Sequence, residues 1–343
     1  MDETIADIGE FRLIHRIHTL LEKQGCHTPT VTLGIGDDAA SFKPGEGYEI
    51  LVTCDSMVEG RHYIKEFIKP VDLGRRAMVM NISDIGAMGG RPLYALVSLG
   101  LPPQTPVKNV EGMYLGFVQE LEPFGASIIG GNITGTDGTS IIDITLIGEV
   151  EKERMIRRST ARVGDSILVT GYPGQAAAGL RLLLDAEDGG NMLDHPLIKA
   201  YNNPSHRAKE GYAVARSGYA TSMIDISDGF LGDLGHICEM SVVGAEIIEE
   251  SLPLSEPMRE ISLSSGKDIF EMVLRDSDDY ELIITCPPEN VDKVCSVITG
   301  LSHIPVCEVG RITKHSKGMK LISKDGSVRP IRPSGWDHFK GKA

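Results

Sequence analysis

Short apolar runs typical of strands alternate with runs of helical spacing along the chain, and this alternation constrains the fold more than any other feature. In the first half, strands are predicted at 48–53, 94–99, 126–129 and 140–150. Helices are predicted between Phe11 and Leu21, from Asp72 as N-cap to Met88, and over 107–122. Strands and helices that alternate in this way predict an α/β (α+β) fold.

The second half repeats the alternation after a charged break at 151–154. Strands are predicted at 165–170, 223–226, 280–285 and 305–312, and helices at 174–184, 228–240 and 290–298. A length of 343 residues suggests two domains of roughly 150 residues each. We therefore expect the boundary near residue 150, between a domain of residues 1–150 and a domain of residues 151–343.

The net charge of −14 argues against nucleic acid as the main partner, because binding to a phosphate backbone needs a surface rich in Lys and Arg. No apolar run reaches the roughly 18 residues of a membrane span, and the beginning Met1-Asp2-Glu3 lacks the basic and apolar regions of a signal peptide. The six cysteines form no CxxC pair, which argues against a zinc ribbon or a redox motif. We expect a cytoplasmic protein with reduced thiols.

Aspartates cluster at turns and at the ends of predicted elements: Asp37, Asp38, Asp55, Asp84, Asp225, Asp228, Asp278 and Asp279. Adjacent carboxylates such as Asp37 and Asp38 repel each other unless a cation neutralises them. Mg²⁺ takes one or two carboxylates per ion and fills its other positions with water and phosphate oxygens. The pattern favours several Mg²⁺ ions, although Gly-Asp-Asp alone is also typical of a solvated acidic turn.

The glycine-rich segment 128–135 follows a short predicted strand, so we expect its consecutive N–H groups to surround an anionic oxygen. Its structural alternative is a flexible turn. The chain contains neither a G-x-x-x-x-G-K-[ST] motif nor a G-x-G-x-x-G motif after a strand, which argues against P-loop and Rossmann folds. Arg157 and Arg158 follow the first half and either contact phosphate or lie on the surface.

One tetrapeptide pattern occurs in each half, as Asn81-Ile82-Ser83-Asp84 and as Asp225-Ile226-Ser227-Asp228. The recurrence suggests two similar half-chains. Ser-Asp before a helix is also a common capping pattern, so Ser227 and Asp228 have an N-cap as their structural alternative.

Seven motifs, in their order along the chain, resemble those of the thiamine-monophosphate kinase family. They are GIGDDAA (34–40), TCD (53–55), EGRH (59–62), NISDIGAMG (81–89), DISDG (225–229), DYEL (279–282) and GWDHF (335–339). The resemblance covers nearly the whole chain. It implies the two-domain fold of the aminoimidazole-ribonucleotide-synthetase-like superfamily, in which N-terminal sheet domains pair in a homodimer and a C-terminal α/β domain completes the site.

The resemblance also implies ATP-dependent, in-line phosphorylation of thiamine monophosphate to thiamine diphosphate. The implied Mg²⁺ ligands are Asp37, Thr53, Cys54, Asp55, Asp84, Asn132, Asp225 and Asp228, of which Asp37, Asp55, Asp84 and Asp225 carry catalysis. The implied ATP contacts are Gly131, Asn132, Arg158 and Ser227, and the implied contacts to thiamine monophosphate are His62, Asp278 and Trp336. A surface position for His62 and a packing role for Trp336 are their structural alternatives.

Three positions depart from the family pattern. Asn132 replaces an aspartate and removes a negative charge, and Cys54 replaces threonine or serine, so that its coordination would use the backbone carbonyl. The segment 275–279 replaces Gly-Gly-Glu-Asp and makes Asp278 a shorter acid. Two alternatives follow from these departures: an enzyme of the same superfamily with a different phosphorylated substrate, and a nucleotide-binding paralogue without catalysis.

Overall fold

A computed structural model describes residues 31–33, 40–45, 47–185, 193–266, 268–274, 276–333 and 335. The helix expected between Phe11 and Leu21 lies outside these residues, as do Asp37, Asp38, Arg275 and Trp336. None of the helices in the described ranges combines the length and apolarity needed to cross a bilayer.

The first half of the chain forms a six-stranded sheet. Its strands are β1 (Val31–Leu33), β2 (Ala40–Gly45), β3 (Tyr48–Val58), β4 (Arg91–Leu101), β5 (Ser127–Gly135) and β6 (Ile141–Glu151). They lie in the order β1-β2-β3-β6-β4-β5, and neighbours are antiparallel except for the parallel pair β4 and β5. Along β6, Ile142, Ile144 and Leu146 are buried while the residues between them are not. The sheet therefore has an inner, core-facing side and an outer side.

Helices α1 (Pro70–Ala87) and α2 (Val107–Leu121) cover the inner side of this sheet. Ile82 of α1 and Phe117 of α2 lie in one core with the buried residues of the strands. The helices approach closely at Gly74, where a Cβ would lie 2.0 Å from the carbonyl oxygen of Met113. The predicted N-cap was wrong: Lys69 caps α1, and Asp72 lies in the first turn because Pro70 begins the helix.

The second half forms a seven-stranded sheet in the order β13-β12-β9-β11-β7-β10-β8. Its strands are β7 (Ser166–Thr170), β8 (Ser222–Asp225), β9 (Val243–Ile248), β10 (Leu282–Cys286), β11 (Val306–Lys314), β12 (Met319–Ile322) and β13 (Val328–Ile331). Its helices are α3 (Gln175–Asp185), α4 (Pro196–Asn202), α5 (Ala208–Ser217), α6 (Phe230–Met240), α7 (Glu256–Ser265), α8 (Ile269–Val273) and α9 (Val291–Thr299).

Strands β7, β8 and β10 are buried along their whole length. Ile167 and Val169 of β7 lie in a core with Phe230 of α6, whereas Leu168 lies in a second core with Val294 of α9. Helices therefore cover both faces of these strands, which explains their continuous apolar sequences.

Helix α1 also joins the two halves of the chain. It packs against α5 at Gly86, where a Cβ would lie 2.5 Å from Cα of Ala208. The Ser83 hydroxyl of α1 donates a hydrogen bond of 2.5 Å to the Asp225 carboxylate at the end of β8. The last turns of α1 therefore hold Asp84 between the two sheets.

Two strand predictions were wrong in ways that concern candidate site residues. Strand β3 continues to Val58 because Ser56–Val58 still pair with β6, so Asp55 lies inside the strand rather than at its end. Strand β5 extends to Gly135, so the glycine-rich segment is an edge strand paired with β4 rather than a loop of exposed N–H groups. The other predicted strands and helices within the described residues are present, with ends shifted by a few residues.

Candidate active site

A cavity of about 920 Å³ lies between the two halves of the chain. Strand β3, helices α1, α3 and α4, and the segments next to β8 and β10 contribute to its lining. Its lining includes Asp55, Asp84, Asp225 and Asp228 as well as a group around Asp278. A volume of this order suits a small-molecule ligand.

Three carboxylates from separate elements meet at this cavity: Asp55 of β3, Asp84 of α1 and Asp225 of β8. Burial raises the pKa of Asp55 to about 6, and the Asp225 carboxylate adds to the rise. Burial, together with Asp55 and Asp225, raises the pKa of Asp84 well above its usual value. Burial also raises the pKa of Asp225, against the lowering effects of the Ser83 hydroxyl and the Arg158 charge. The site therefore concentrates negative charge at a considerable electrostatic cost.

Two hydroxyl groups fix the orientation of these carboxylates. The Thr53 hydroxyl donates to Oδ2 of Asp84, and the Ser83 hydroxyl donates to Oδ2 of Asp225. Oδ1 of Asp225 is buried and has no hydrogen-bond partner among the described residues. Because buried oxygen atoms normally have a partner, this oxygen and its carboxylate neighbours fit a hard divalent cation such as Mg²⁺.

The loop after β8 is ordered by Asp233 of α6. The backbone N–H groups of Ser227, Asp228 and Gly229 donate to Oδ2 of Asp233 at 3.0, 3.1 and 3.1 Å. Gly229 is the N-cap of α6, so the structural alternative, in which Ser227 or Asp228 caps this helix, was wrong. Both residues instead line the cavity. The sequence reasoning missed Asp233, although an acid in the first turn of a helix is a recognisable signal.

Asp228, Asp233 and His236 also form a group whose nearest ligand atoms lie within 4.8 Å of one another. Burial lowers the pKa of His236 to about 4, and the Arg158 charge contributes to the lowering. The imidazole is therefore neutral near neutral pH, and burial, together with the charges of Asp228 and Asp225, raises the pKa of Asp233 well above its usual value.

A second set of residues lines the cavity around Asp278. The backbone N–H of Val58 donates to Nδ1 of His62 at 2.9 Å, and the Tyr201 hydroxyl donates to the His62 carbonyl oxygen at 3.3 Å. Arg76 of α1 donates to the Tyr201 carbonyl oxygen and to Oδ2 of Asp278. The structure thus brings His62 and Asp278 together through Arg76 and Tyr201, neither of which the sequence reasoning identified.

Three other candidate residues lie on the outer side or at the edge of the first sheet: Cys54, which also lines the cavity, and Gly131 and Asn132. The Cys54 thiol donates to Oδ1 of Asp143 at 3.3 Å. Asp143 alternates with the buried residues of β6, so this contact lies on the outer side of the sheet. Gly131 and Asn132 are exposed on the edge strand β5 and do not line the cavity. Within the described residues of one chain, the structure therefore does not bring Asn132 to the three carboxylates.

Two family models cover most of the chain. The N-terminal domain of AIR synthase related protein matches residues 36–150, and the C-terminal domain of AIR synthase related protein matches residues 162–321. The thiamine-monophosphate kinase of Bacillus subtilis is 32% identical over 97% of this chain and 100% of its own length. The thiamine-monophosphate kinase of Aquifex aeolicus is 34% identical over 98% of this chain and 99% of its own length.

Solved structures are also similar to this chain, and one of them is of the same family. AaThiL complexed with AMPPCP and TMP has a TM-score of 0.84 and 32% identity, and the match covers 98% of this chain and 99% of that chain. The hydrogenase maturation protein HypE in complex with ATP has a TM-score of 0.65 at 18% identity, over 91% of this chain and 93% of that chain. At this identity the second likeness concerns the fold alone.

Proposed function

The chain belongs to the thiamine-monophosphate kinase family of AIR synthase related proteins, and from this premise we propose that it phosphorylates thiamine monophosphate with ATP. The observation that carries the proposal is the cavity in which Asp55, Asp84 and Asp225 meet. Such a group of carboxylates holds metal ions for phosphoryl transfer, and the same cavity extends to residues suited to an organic acceptor.

The chemistry that we propose is a direct transfer. An oxygen of the acceptor phosphate attacks the γ-phosphorus of ATP, a new P–O bond forms, and the bond to the β–γ bridging oxygen breaks to release ADP. The acceptor oxygen is already anionic, so no protein nucleophile is needed. Thiamine diphosphate and ADP account for all atoms of the two substrates.

We propose that Asp55, Asp84, Asp225 and Asp228 hold Mg²⁺ ions at the transfer end of the cavity. When bound, the ions neutralise phosphate charge that would otherwise repel the acceptor. Thr53 and Ser83 keep Asp84 and Asp225 oriented through their hydroxyl groups, and Asp233 keeps the loop with Asp228 in place. These contacts prearrange the site before substrates bind, which lowers the entropic cost of aligning them.

The remaining residues implied by the resemblance stay proposals. The further metal ligands are Asp37, Thr53, Cys54 and Asn132, and the ATP contacts are Gly131, Asn132, Arg158 and Ser227. The contacts to thiamine monophosphate are His62, Asp278 and Trp336. In support, His62, Ser227 and Asp278 line the cavity, and Arg158 acts electrostatically on Asp225.

We propose that the two halves divide this work, with residues 1–150 providing metal and ATP contacts and residues 151–343 completing the site.

We also propose a homodimer formed by the outer side of the first sheet. That side carries exposed apolar residues, including Tyr94 (46% exposed), Leu96 (38%) and Ile141 (37%). A concentration of exposed apolar side chains on one face is typical of a surface that pairs with another chain.

A cytoplasmic location, as expected from the sequence, is part of the proposal. The described cysteines are free thiols, as suits a reducing compartment: Cys54, Cys238, Cys286, Cys295 and Cys307.

The proposal is tested by incubating purified protein with ATP, Mg²⁺ and thiamine monophosphate and measuring thiamine diphosphate by chromatography. We expect the Asp84→Asn variant to lose at least about 100-fold in turnover, because a metal ligand supplies several kcal/mol of charge stabilisation. The matched control is Asp137→Asn, an exposed residue between β5 and β6, which should keep wild-type turnover. Folded wild-type protein that makes no thiamine diphosphate would exclude the function.

A further inference from the structure

Helix α1 lines the cavity with a row of three side chains, Arg76, Met80 and Asp84. Residues four apart lie on one side of a helix, and the eight-residue separation of Arg76 and Asp84 corresponds to about 12 Å along the axis. The row therefore leads from the carboxylates to the group around Asp278. A phosphorylated acceptor whose phosphate lies near Asp84 would place its organic part toward Arg76.

Arg76 is almost completely buried, with 2% of its surface exposed. Its guanidinium donates to Oδ2 of Asp278 and to the carbonyl oxygen of Tyr201, and it lies over the Tyr201 ring at 4.0 Å from the ring centre. A buried charge requires a partner, and Asp278 supplies the opposite charge. Arg76 thus fixes two elements of the second half to a helix of the first half.

The contacts continue from Arg76 to the other candidate acceptor residue. Tyr201, which Arg76 holds by its backbone and its ring, donates through its hydroxyl group to the carbonyl oxygen of His62. The Asp278 side chain keeps 29% of its surface exposed and lines the cavity. One arginine therefore positions both sides of the part of the cavity that lies away from the carboxylates.

One hydrogen-bond donor of Arg76 has no acceptor: its buried Nε has no hydrogen-bond partner among the described residues. A purely structural arginine would normally be completely hydrogen-bonded. Asp278, in turn, is a shorter acid than the glutamate of the family pattern, so its reach depends more strongly on the group that orients it.

We propose that Arg76 is a positioning residue for the acceptor: it holds the Asp278 carboxylate and the Tyr201 ring where they receive the organic end of a cationic, nitrogen-rich phosphate ester. This inference rests on the proposed function and names a determinant of its acceptor specificity. The ionised carboxylate accepts N–H donors and attracts positive charge, and the tyrosine ring offers apolar surface.

The test compares steady-state kinetics of wild-type protein with Arg76→Met, Arg76→Lys and Asp278→Asn. For Arg76→Met and Asp278→Asn, we expect the KM for thiamine monophosphate to rise by about tenfold or more, with kcat and the KM for ATP changed by less than about threefold. Arg76→Lys keeps the charge without the fork of donors and should fall between wild type and Arg76→Met. Because the lysine variant retains the ion pair, it also serves if the methionine variant does not fold.

The matched control is Arg75→Met. Arg75 is the neighbouring residue on α1 and donates from Nε to Glu120 at 2.6 Å, outside the cavity lining. Its loss should lower thermal stability while the KM for thiamine monophosphate stays at the wild-type value. In the double variant of Arg76→Met and Asp278→Asn, the rise in KM should be no larger than in the stronger single variant. The reason is that both changes break the same ion pair, between Arg76 and Asp278.

The outcomes separate the two proposals. If wild-type protein makes thiamine diphosphate and Arg76→Met keeps the wild-type KM for thiamine monophosphate, the role of Arg76 is excluded while the function stands. An equal rise in the KM for ATP, or additive effects in the double variant, also excludes that role. Wild-type protein without turnover excludes both the function and the inference that rests on it.

Discussion

The carboxylate cluster predicts that the Asp55→Asn variant is more stable than wild-type protein in the absence of metal. Burial and the Asp225 charge raise the pKa of Asp55 from 3.8 to about 6. A raised pKa means that the folded state favours the protonated acid, so ionised Asp55 destabilises the fold. This cost is absent below pH 3.8, grows as the pH rises toward 6, and is complete above that value.

The magnitude follows from the shift in pKa. About two units correspond to about 3 kcal/mol, which we reduce to about 1–2 kcal/mol because Asp55 is half-buried and partly solvated. Each kcal/mol changes the melting temperature by about 2–4 °C for a domain of about 150–250 residues, which is the size of each half of this chain. We therefore expect Asp55→Asn to raise Tm by about 2–8 °C at pH 8. The amide keeps the size of the side chain and removes only its charge.

The assay is thermal unfolding at one scan rate, in EDTA and in millimolar Mg²⁺. Wild-type protein should gain stability with Mg²⁺, because an ion that binds only the folded state shifts the equilibrium toward it. Asp55→Asn should gain little, so the order of the two melting temperatures should reverse or converge. The exposed control Asp137→Asn should follow wild-type protein in both buffers. A variant that is less stable than wild type in EDTA, or that gains as much from Mg²⁺, would refute the reasoning.

Three further predictions concern the same site and the outer side of the sheet. The affinity for Mg²⁺, measured by calorimetry, should fall as the pH drops below about 6, because protons on Asp55 and Asp84 compete with the ion; an affinity independent of pH would contradict this. Asp233→Ala leaves three N–H groups without their acceptor, so urea unfolding should show a loss of about 2–3 kcal/mol, whereas an unchanged midpoint would argue against the ordering role. Leu96→Lys should convert a dimer to a monomer in light scattering, whereas Val118→Lys on α2 should not; a dimer that persists in Leu96→Lys would place the interface elsewhere.

Sequence patterns located β3, α1, β8 and β10, which carry most of the site, but they did not locate helix α4 or the contacts between these elements. Helix α1 was predicted over nearly its true length because its apolar residues recur at helical spacing. That Ser83 would donate to Asp225, 142 positions further along the chain, has no local signal. The motif resemblance grouped these residues, whereas their hydrogen bonds depend on how the two sheets meet.

The errors also have physical causes. The segment 128–135 was expected to be a loop because glycine is common in turns, yet its backbone pairs with β4 as an edge strand. Arg76 was overlooked because an arginine in a helix usually lies at the surface. Its burial depends on Asp278, which lies 202 positions away in the chain. Only the folded chain places that acid beside it.

The most direct measurement follows the γ-phosphoryl group itself. ATP labelled at its γ-phosphate is mixed with protein, Mg²⁺ and thiamine monophosphate, and the reaction is quenched within one turnover. Direct transfer predicts label in the terminal phosphate of thiamine diphosphate and none on the acid-precipitated protein. Label on the protein, or label that appears only in free phosphate while thiamine monophosphate is unchanged, would contradict the account.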